Sequence, residues 1–263
     1  NVTGTSNSAL GYNALLGASG NSHSNNTAVG YLAGGAVTTG VQNTLVGGLA
    51  GDALTDADMN IAVGYLALSA DTYGSKSVAI GKEALATQNF TTATDTFNTA
   101  VGHNAGSSVT TATHNTLIGG LAGDALTTGA SNVAVGYNAL STDDVGQHNV
   151  AIGRDALATQ NIATAANTYN TAVGSQAGTA VTTGIQNTLI GGLSGDALTD
   201  ADYNTAVGYN ALGTDTQGSK TTAIGYGALD AMNHSSSTDT FQVAVGHNAG
   251  GAITTGINNT LIG

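Results

Sequence analysis

Small and branched apolar residues return along this chain at a fixed distance from a glycine. With that glycine as position zero, position −1 is a branched aliphatic in every copy, from Leu10, Val29 and Val46 through to Ile262. Position −2 is Ala, except that one copy in four carries Leu (Leu45, Leu117, Leu189, Leu261). Position −3 is mostly Thr or Val, and position +3 is Ala in thirteen of fourteen complete copies, Ser194 being the exception. The β-branched residues at −3 and −1 predict a short strand. In a strand these two share one face, and −2 and the glycine share the other. Neither face is polar, unlike a half-exposed strand. The pattern therefore predicts a Val/Ile face buried inside a coil. The Ala/Gly face is then small enough for another backbone to approach it closely, either the opposite wall of the coil or a second chain.

The glycines fall at Gly11, Gly30, Gly47, Gly64, Gly81, Gly102, Gly119, Gly136, Gly153, Gly174, Gly191, Gly208, Gly225, Gly246 and Gly263, fifteen copies in 263 residues. After a first gap of 19, the spacing runs 17, 17, 17, 21 and repeats, a four-copy block of 72 residues. Such a period predicts a repeat architecture before anything else. A 17-residue unit fits two strands and two turns, so the expected fold is all-β: a parallel β-roll or β-solenoid of about fifteen short coils. Coils spaced by about 4.8 Å would extend roughly 70 Å. No linker or composition break interrupts the pattern, so 1–263 reads as one solenoid domain with an irregular first stretch, 1–25. The chain begins and ends inside the repeat, which suggests a piece of a longer fibre. Asn26, Asn43, Asn60, Asn98, Asn115 and Asn132 recur at position −4. They fit either a stacked side-chain ladder or turn chemistry.

The fourth unit of each block carries four extra residues, giving the stretches Asn89 to Phe97, Asn161 to Tyr169 and Asn233 to Phe241. Four residues in excess of a fixed coil must bulge outward, and loops on a rigid scaffold are where recognition usually sits. Phe90, Phe97, Tyr169, His234 and Phe241 are the candidate recognition residues. The competing reading packs the rings of Phe97, Tyr169 and Phe241 beneath their own loops.

Composition narrows the chemistry. The formal charge is −12, with only Lys76, Lys82, Arg154 and Lys220 basic, which argues against nucleic-acid binding. Cysteine is absent, so no disulfide, thiolate metal site or cysteine nucleophile exists. No apolar run reaches the roughly 18 residues of a membrane span, so no membrane insertion is expected of this segment. Gly47 to Asp52 has the look of a phosphate loop, but it recurs in every block without a lysine and reads as a turn. Asp52, Asp56 and Asp58, with Asp196, Asp200 and Asp202, offer oxygens of the kind calcium takes; the other reading is a solvated acidic edge. His103 and His247 share position +1 with Tyr31, Tyr65, Tyr137, Tyr209 and Tyr226, which marks a surface column and not a metal site. No catalytic set stands apart from the repeat, and neither an enzyme nor a cofactor is expected.

The phrase Asn204-Thr205-Ala206-Val207-Gly208-Tyr209-Asn210-Ala211-Leu212, with Ser77-Val78-Ala79-Ile80-Gly81-Lys82-Glu83-Ala84-Leu85-Ala86, resembles the head repeats of trimeric autotransporter adhesins of the YadA type. The 17-residue form is similar to repeats of bacteriophage tail fibres. That resemblance implies a parallel β-roll of three intertwined chains, hence a homotrimer. It also implies a place on an extracellular surface or in a virion tail fibre, and attachment to a host glycan or protein receptor. The alternative is a monomeric β-solenoid whose Thr/Asn ladder binds an ordered lattice such as ice or a polysaccharide. A polysaccharide-degrading β-helix fits less well, because its catalytic carboxylates would break the repeat.

Overall fold

The structure, a computed structural model, describes residues 4–17 and 21–263. Within the irregular first stretch, residues 1–3 and 18–20 lie outside the described ones. The chain forms two compact units, Asn1–Ser131 and Asn132–Gly263. Each is a parallel β-solenoid, about fifteen coils in all, and among the described residues there is no helix.

Every coil contributes one three-residue strand to a parallel sheet. In the first unit these are Ser8–Leu10, Thr27–Val29, Thr44–Val46, Ile61–Val63, Val78–Ile80, Thr99–Val101 and Thr116–Ile118. In the second they are Val133–Val135, Val150–Ile152, Thr171–Val173, Thr188–Ile190, Thr205–Val207, Thr222–Ile224, Val243–Val245 and Thr260–Ile262. Equivalent repeat positions stack on one another: Thr44 pairs with Thr27, Leu45 with Ala28 and Val46 with Val29. The register survives the 21-residue coils, where Ile80 still pairs with Val101 and Ile152 with Val173. The four extra residues are thus extruded from the ladder. Each bulge is tied down by a two-residue parallel strand, such as Thr94–Asp95 against Gly74–Ser75.

The two faces of the strand are the reverse of the sequence expectation. Position −2 points inward, with Ala28, Leu45, Ala62, Ala134 and Leu189 fully buried. Positions −3 and −1 point outward and are half-buried or exposed, including Ile61, Ile80, Ile118, Ile152 and Ile190. The asparagine at −4 explains the inversion. Its amide must lie inside the coil to do its work, and strand parity then turns −2 inward and −3 and −1 outward. The Asn60 side chain donates across its coil to the Gly74 carbonyl (2.9 Å) and accepts from the Ser77 backbone N–H of the next coil (2.8 Å). Asn43 does the same toward Ala57 and Asn60, at 2.8 and 2.9 Å. The asparagines therefore form a buried ladder along the stack, and the same side chains close each coil.

The four-unit block has a packing cause. A narrow coil has room for few large side chains, and their source changes from unit to unit. Leu68, Leu85, Leu140 and Leu157 fill the core from position +4. Where −2 is Leu instead, +4 is glycine: a Cβ on Gly51 would sit 2.8 Å from both Leu45 Cδ2 and Leu54 Cδ1. Large and small residues alternate so that the layers interlock.

The corners are built from left-handed residues. Position +2 is left-handed in Leu66 (φ 58°) and Glu83 (φ 58°), position +4 in Leu68 (φ 53°), and position −5 in Lys76 (φ 62°) and Phe97 (φ 52°). This conformation is disfavoured for residues with a Cβ. It persists because the stacked coils on either side fix it. At the glycine itself the demand is stricter. Gly136 has φ 141°, and a Cβ there would lie 2.5 Å from the carbonyl oxygen of Gly153 in the next coil. The backbone that approaches the glycine closely is therefore the next coil of the same chain.

Candidate recognition surfaces

Two features face solvent in a regular way: the outward sheet face and the bulges of the 21-residue coils. The sheet face presents a Thr/Val column at −3 beside a Val/Ile column at −1. In the second unit four consecutive coils carry Thr171, Thr188, Thr205 and Thr222 beside Val173, Ile190, Val207 and Ile224. Beyond the glycine corner stands the tyrosine column, with Tyr31 54% and Tyr209 52% exposed. The described residues thus carry apolar side chains at the surface coil after coil.

At the bulges the candidate residues separate into two classes. Phe90 and His234 are buried, 7% and 6% exposed, and anchor the start of their loops. Phe97, Tyr169 and Phe241 are half exposed and stand in the left-handed column at −5. They do not pack beneath their loops. Each is stacked instead on a neighbour in the same column: Lys76 Nζ lies 5.2 Å from the Phe97 ring centre, Lys220 Nζ 5.2 Å from that of Phe241, and the His148 and Tyr169 rings are 5.2 Å apart. Lys76 and Lys220 also pair with Asp95 and Asp239. Solvent screening leaves exposed pairs of this kind with little energy. The loop tips at 91–93, 163–165 and 235–237 are exposed and uncharged, Thr-Thr-Ala, Ala-Thr-Ala and Ser-Ser-Ser.

Beneath each bulge lies a buried carboxylate, which the sequence reading missed. Asp71 accepts from the backbone N–H groups of Gly74 (3.0 Å) and Phe90 (3.1 Å) and from Gln88 Nε2 (2.6 Å). Gln88 Oε1 in turn accepts from Asn98 Nδ2 at 2.8 Å. Asp143 and Gln160 repeat the arrangement. In the third bulge Met232 replaces the glutamine and cannot donate. There His234 takes over: its backbone N–H and Nδ1 reach Asp215 at 2.8 and 3.2 Å. The paired exchange, Gln88 and Phe90 against Met232 and His234, was the readable signal of this contact.

The acidic turns are spent on the fold. Asp58 Oδ1 accepts from the Val41 N–H at 2.8 Å, and Asp202 Oδ1 from the Ile185 N–H at 2.8 Å. Asp56 accepts from the Thr39 hydroxyl, and Asp200 from the Thr199 hydroxyl at 3.2 Å. Among the described residues no three His, Asp or Glu side chains converge on one point. Asp52, Asp124 and Asp196 each keep one buried carboxylate oxygen without a partner. Burial pushes their pKa values above the ordinary carboxylate value, a hydrogen bond from their own backbone offsets part of this, and Asp230 adds to the rise at Asp196. His247 stacks on Tyr226, rings 5.1 Å apart and 7° from parallel, which places it in the aromatic column.

Comparison of the chain with protein-family models, with curated proteins and with solved structures returns no match.

Proposed function

We propose that this chain is a structural and adhesive fibre segment. It would assemble as a homotrimer on an extracellular surface or in a virion tail fibre and serve attachment to a host glycan or protein receptor. The observation that carries the reading is the outward Val/Ile column beside Thr/Val, repeated coil after coil. An apolar face of that length is normally covered, and two further copies of the same chain would cover all of it in register. The proposed role is mechanical: dense backbone hydrogen bonding, a laterally closed coil, and several identical binding surfaces acting together. The resemblance of the Ala-Val-Gly phrase to trimeric adhesin and tail-fibre repeats points the same way. Val207→Lys places a charge in the middle of this face. It should reduce the solution mass to that of one chain while leaving the β circular-dichroism spectrum intact; an unchanged trimer would defeat the assignment of the face.

A second reading has its own support. The block of four Thr beside Val/Ile in the second unit is an array in strict register, of the sort that would match an ordered lattice. In that case the protein would be a monomer, and it would slow ice growth or bind a crystalline polysaccharide.

A further inference from the structure

The tyrosine column after the glycine corner is a ladder of stacked rings with gaps at particular rungs. Tyr12 and Tyr31 stack at 5.7 Å, 10° from parallel, and Tyr209, Tyr226 and His247 stack at 5.6 and 5.1 Å. In the first unit the ladder breaks between Tyr31 and Tyr65, where Gly48 stands; in the second, Gly192 stands between Ser175 and Tyr209. These glycines differ from those at the corners. Neither has a positive φ. A Cβ on Gly48 would lie 3.5 Å from Tyr65 Cδ2, and one on Gly192 would lie 3.5 Å from Tyr209 Cδ2, ordinary van der Waals contacts. Backbone and space would both accept a Cβ here, and glycine carries an entropic penalty without one. The missing side chains therefore call for a reason other than the fold.

The gap has a definite size. Adjacent coils are about 4.8 Å apart, so rungs on either side of a gap are separated by about 9.6 Å. A ring held between two others in van der Waals contact on both faces needs about 7–8 Å. Tyr65 leans over Gly48, which narrows the space toward that value. At that spacing one ring would fit between Tyr31 and Tyr65, and two would not. Both walls are half exposed, and the floor is bare backbone.

Charge selects the class of ring. The chain carries −12, and all four of its Lys and Arg side chains are already paired with carboxylates: Lys76 with Asp95, Lys82 with Glu83, Arg154 with Asp155 and Lys220 with Asp239. The net charge disfavours a sialate or a sulfate, and each of these four cations already has a carboxylate beside it. An uncharged pyranose offers a flat C–H face for a tyrosine ring and hydroxyls for the phenolic O–H groups at the rim.

We propose that Tyr31, Gly48 and Tyr65 form a slot for one pyranose ring of an uncharged glycan, with Tyr209 over Gly192 as a one-walled copy. This rests on the adhesive role proposed above and gives it a ligand class and a place. The test uses the full 263-residue chain and saturation-transfer NMR, with irradiation of the tyrosine ring protons, against lactose, maltotriose, mannotriose and sialyllactose. At least one neutral sugar should receive transfer at its ring C–H protons. Gly48→Tyr, paired with Gly192→Tyr, completes the ladder; it should weaken that sugar at least tenfold while the melting temperature and molar mass stay put. If the filled variant fails to fold, Tyr31→Ala removes one exposed wall and should give the same loss. Undiminished binding in these variants, binding of sialyllactose alone, or no transfer to any neutral sugar overturns the slot. A trimer that binds no sugar sinks the slot and leaves the fibre reading standing; a monomer that loses sugar in Gly48→Tyr does the reverse.

Discussion

The corner glycines give the sharpest mutational contrast. At Gly136 a Cβ would meet only backbone: the Gly153 oxygen at 2.5 Å, the Gly153 carbonyl carbon at 2.6 Å and the Arg154 nitrogen at 3.1 Å. None of these atoms can rotate away, since the Gly153 N–H is itself held by the Val135 carbonyl at 2.8 Å. The φ of 141° adds a second penalty, in a region that only glycine occupies at ease. Backbone strain contributes about 1–3 kcal/mol. Overpacking against a fixed neighbour contributes about another 1–3 kcal/mol. The reduced freedom of the unfolded chain returns roughly 0.4–1 kcal/mol. Gly136→Ala should therefore destabilise by about 1–6 kcal/mol, and the melting temperature should fall by on the order of 10 °C at this chain length. Gly48→Ala is the control: with an ordinary φ and a 3.5 Å contact, it should change stability by less than about 0.5 kcal/mol. Thermal melting followed by circular dichroism at one protein concentration compares them directly. Equal melting temperatures for the two variants would refute the close-approach argument.

Three further outcomes follow from the same geometry. Asn60→Ala leaves the Gly74 carbonyl and the Ser77 N–H buried without partners, and should cost about 2–5 kcal/mol in urea denaturation. His234→Phe, which restores the residue type of the first bulge, should destabilise by about 1–3 kcal/mol because Met232 cannot replace the lost donor to Asp215. The double variant Met232→Gln/His234→Phe should recover most of that in the same melt. The third concerns pH. Asp52, Asp124 and Asp196 have folded pKa values raised above their unfolded value of 3.8, so the folded state binds protons more tightly. Stability from these groups then falls as pH rises from the ordinary carboxylate value through the raised one, and it stays lower at neutral pH. Asp124→Asn should raise the melting temperature at pH 7 and leave it nearly unchanged near pH 3.

The repeat, its four-unit block, the parallel solenoid and the outward bulges were legible in the spacing of the glycines alone. The direction of the strand faces was not. Val and Ile carry the strongest apolar signal, and by hydrophobicity they belong inside; the asparagine one step earlier decides the matter, because its amide closes the coil. Nothing in the composition marks Asn26, Asn43 and Asn60 as interior residues, since a buried asparagine and a turn asparagine read alike. The bulge aromatics were found as residues but not sorted. Phe90 and Phe97 look equivalent in the sequence, and only the ladder shows that one is an anchor and the other a half-exposed ring over Lys76. The left-handed corners were invisible for a similar reason: Leu66, Leu68 and Lys76 are poor choices for positive φ taken singly, and the stacked coils impose it.

The proposal that other copies of this chain cover the outward Val/Ile face is tested most directly by the molar mass in solution. Multi-angle light scattering on the 25.6 kDa chain should return three times that mass, constant across a tenfold dilution. A mass of one chain at every concentration would contradict it, and would leave the Thr/Val array facing solvent as the candidate lattice-binding surface.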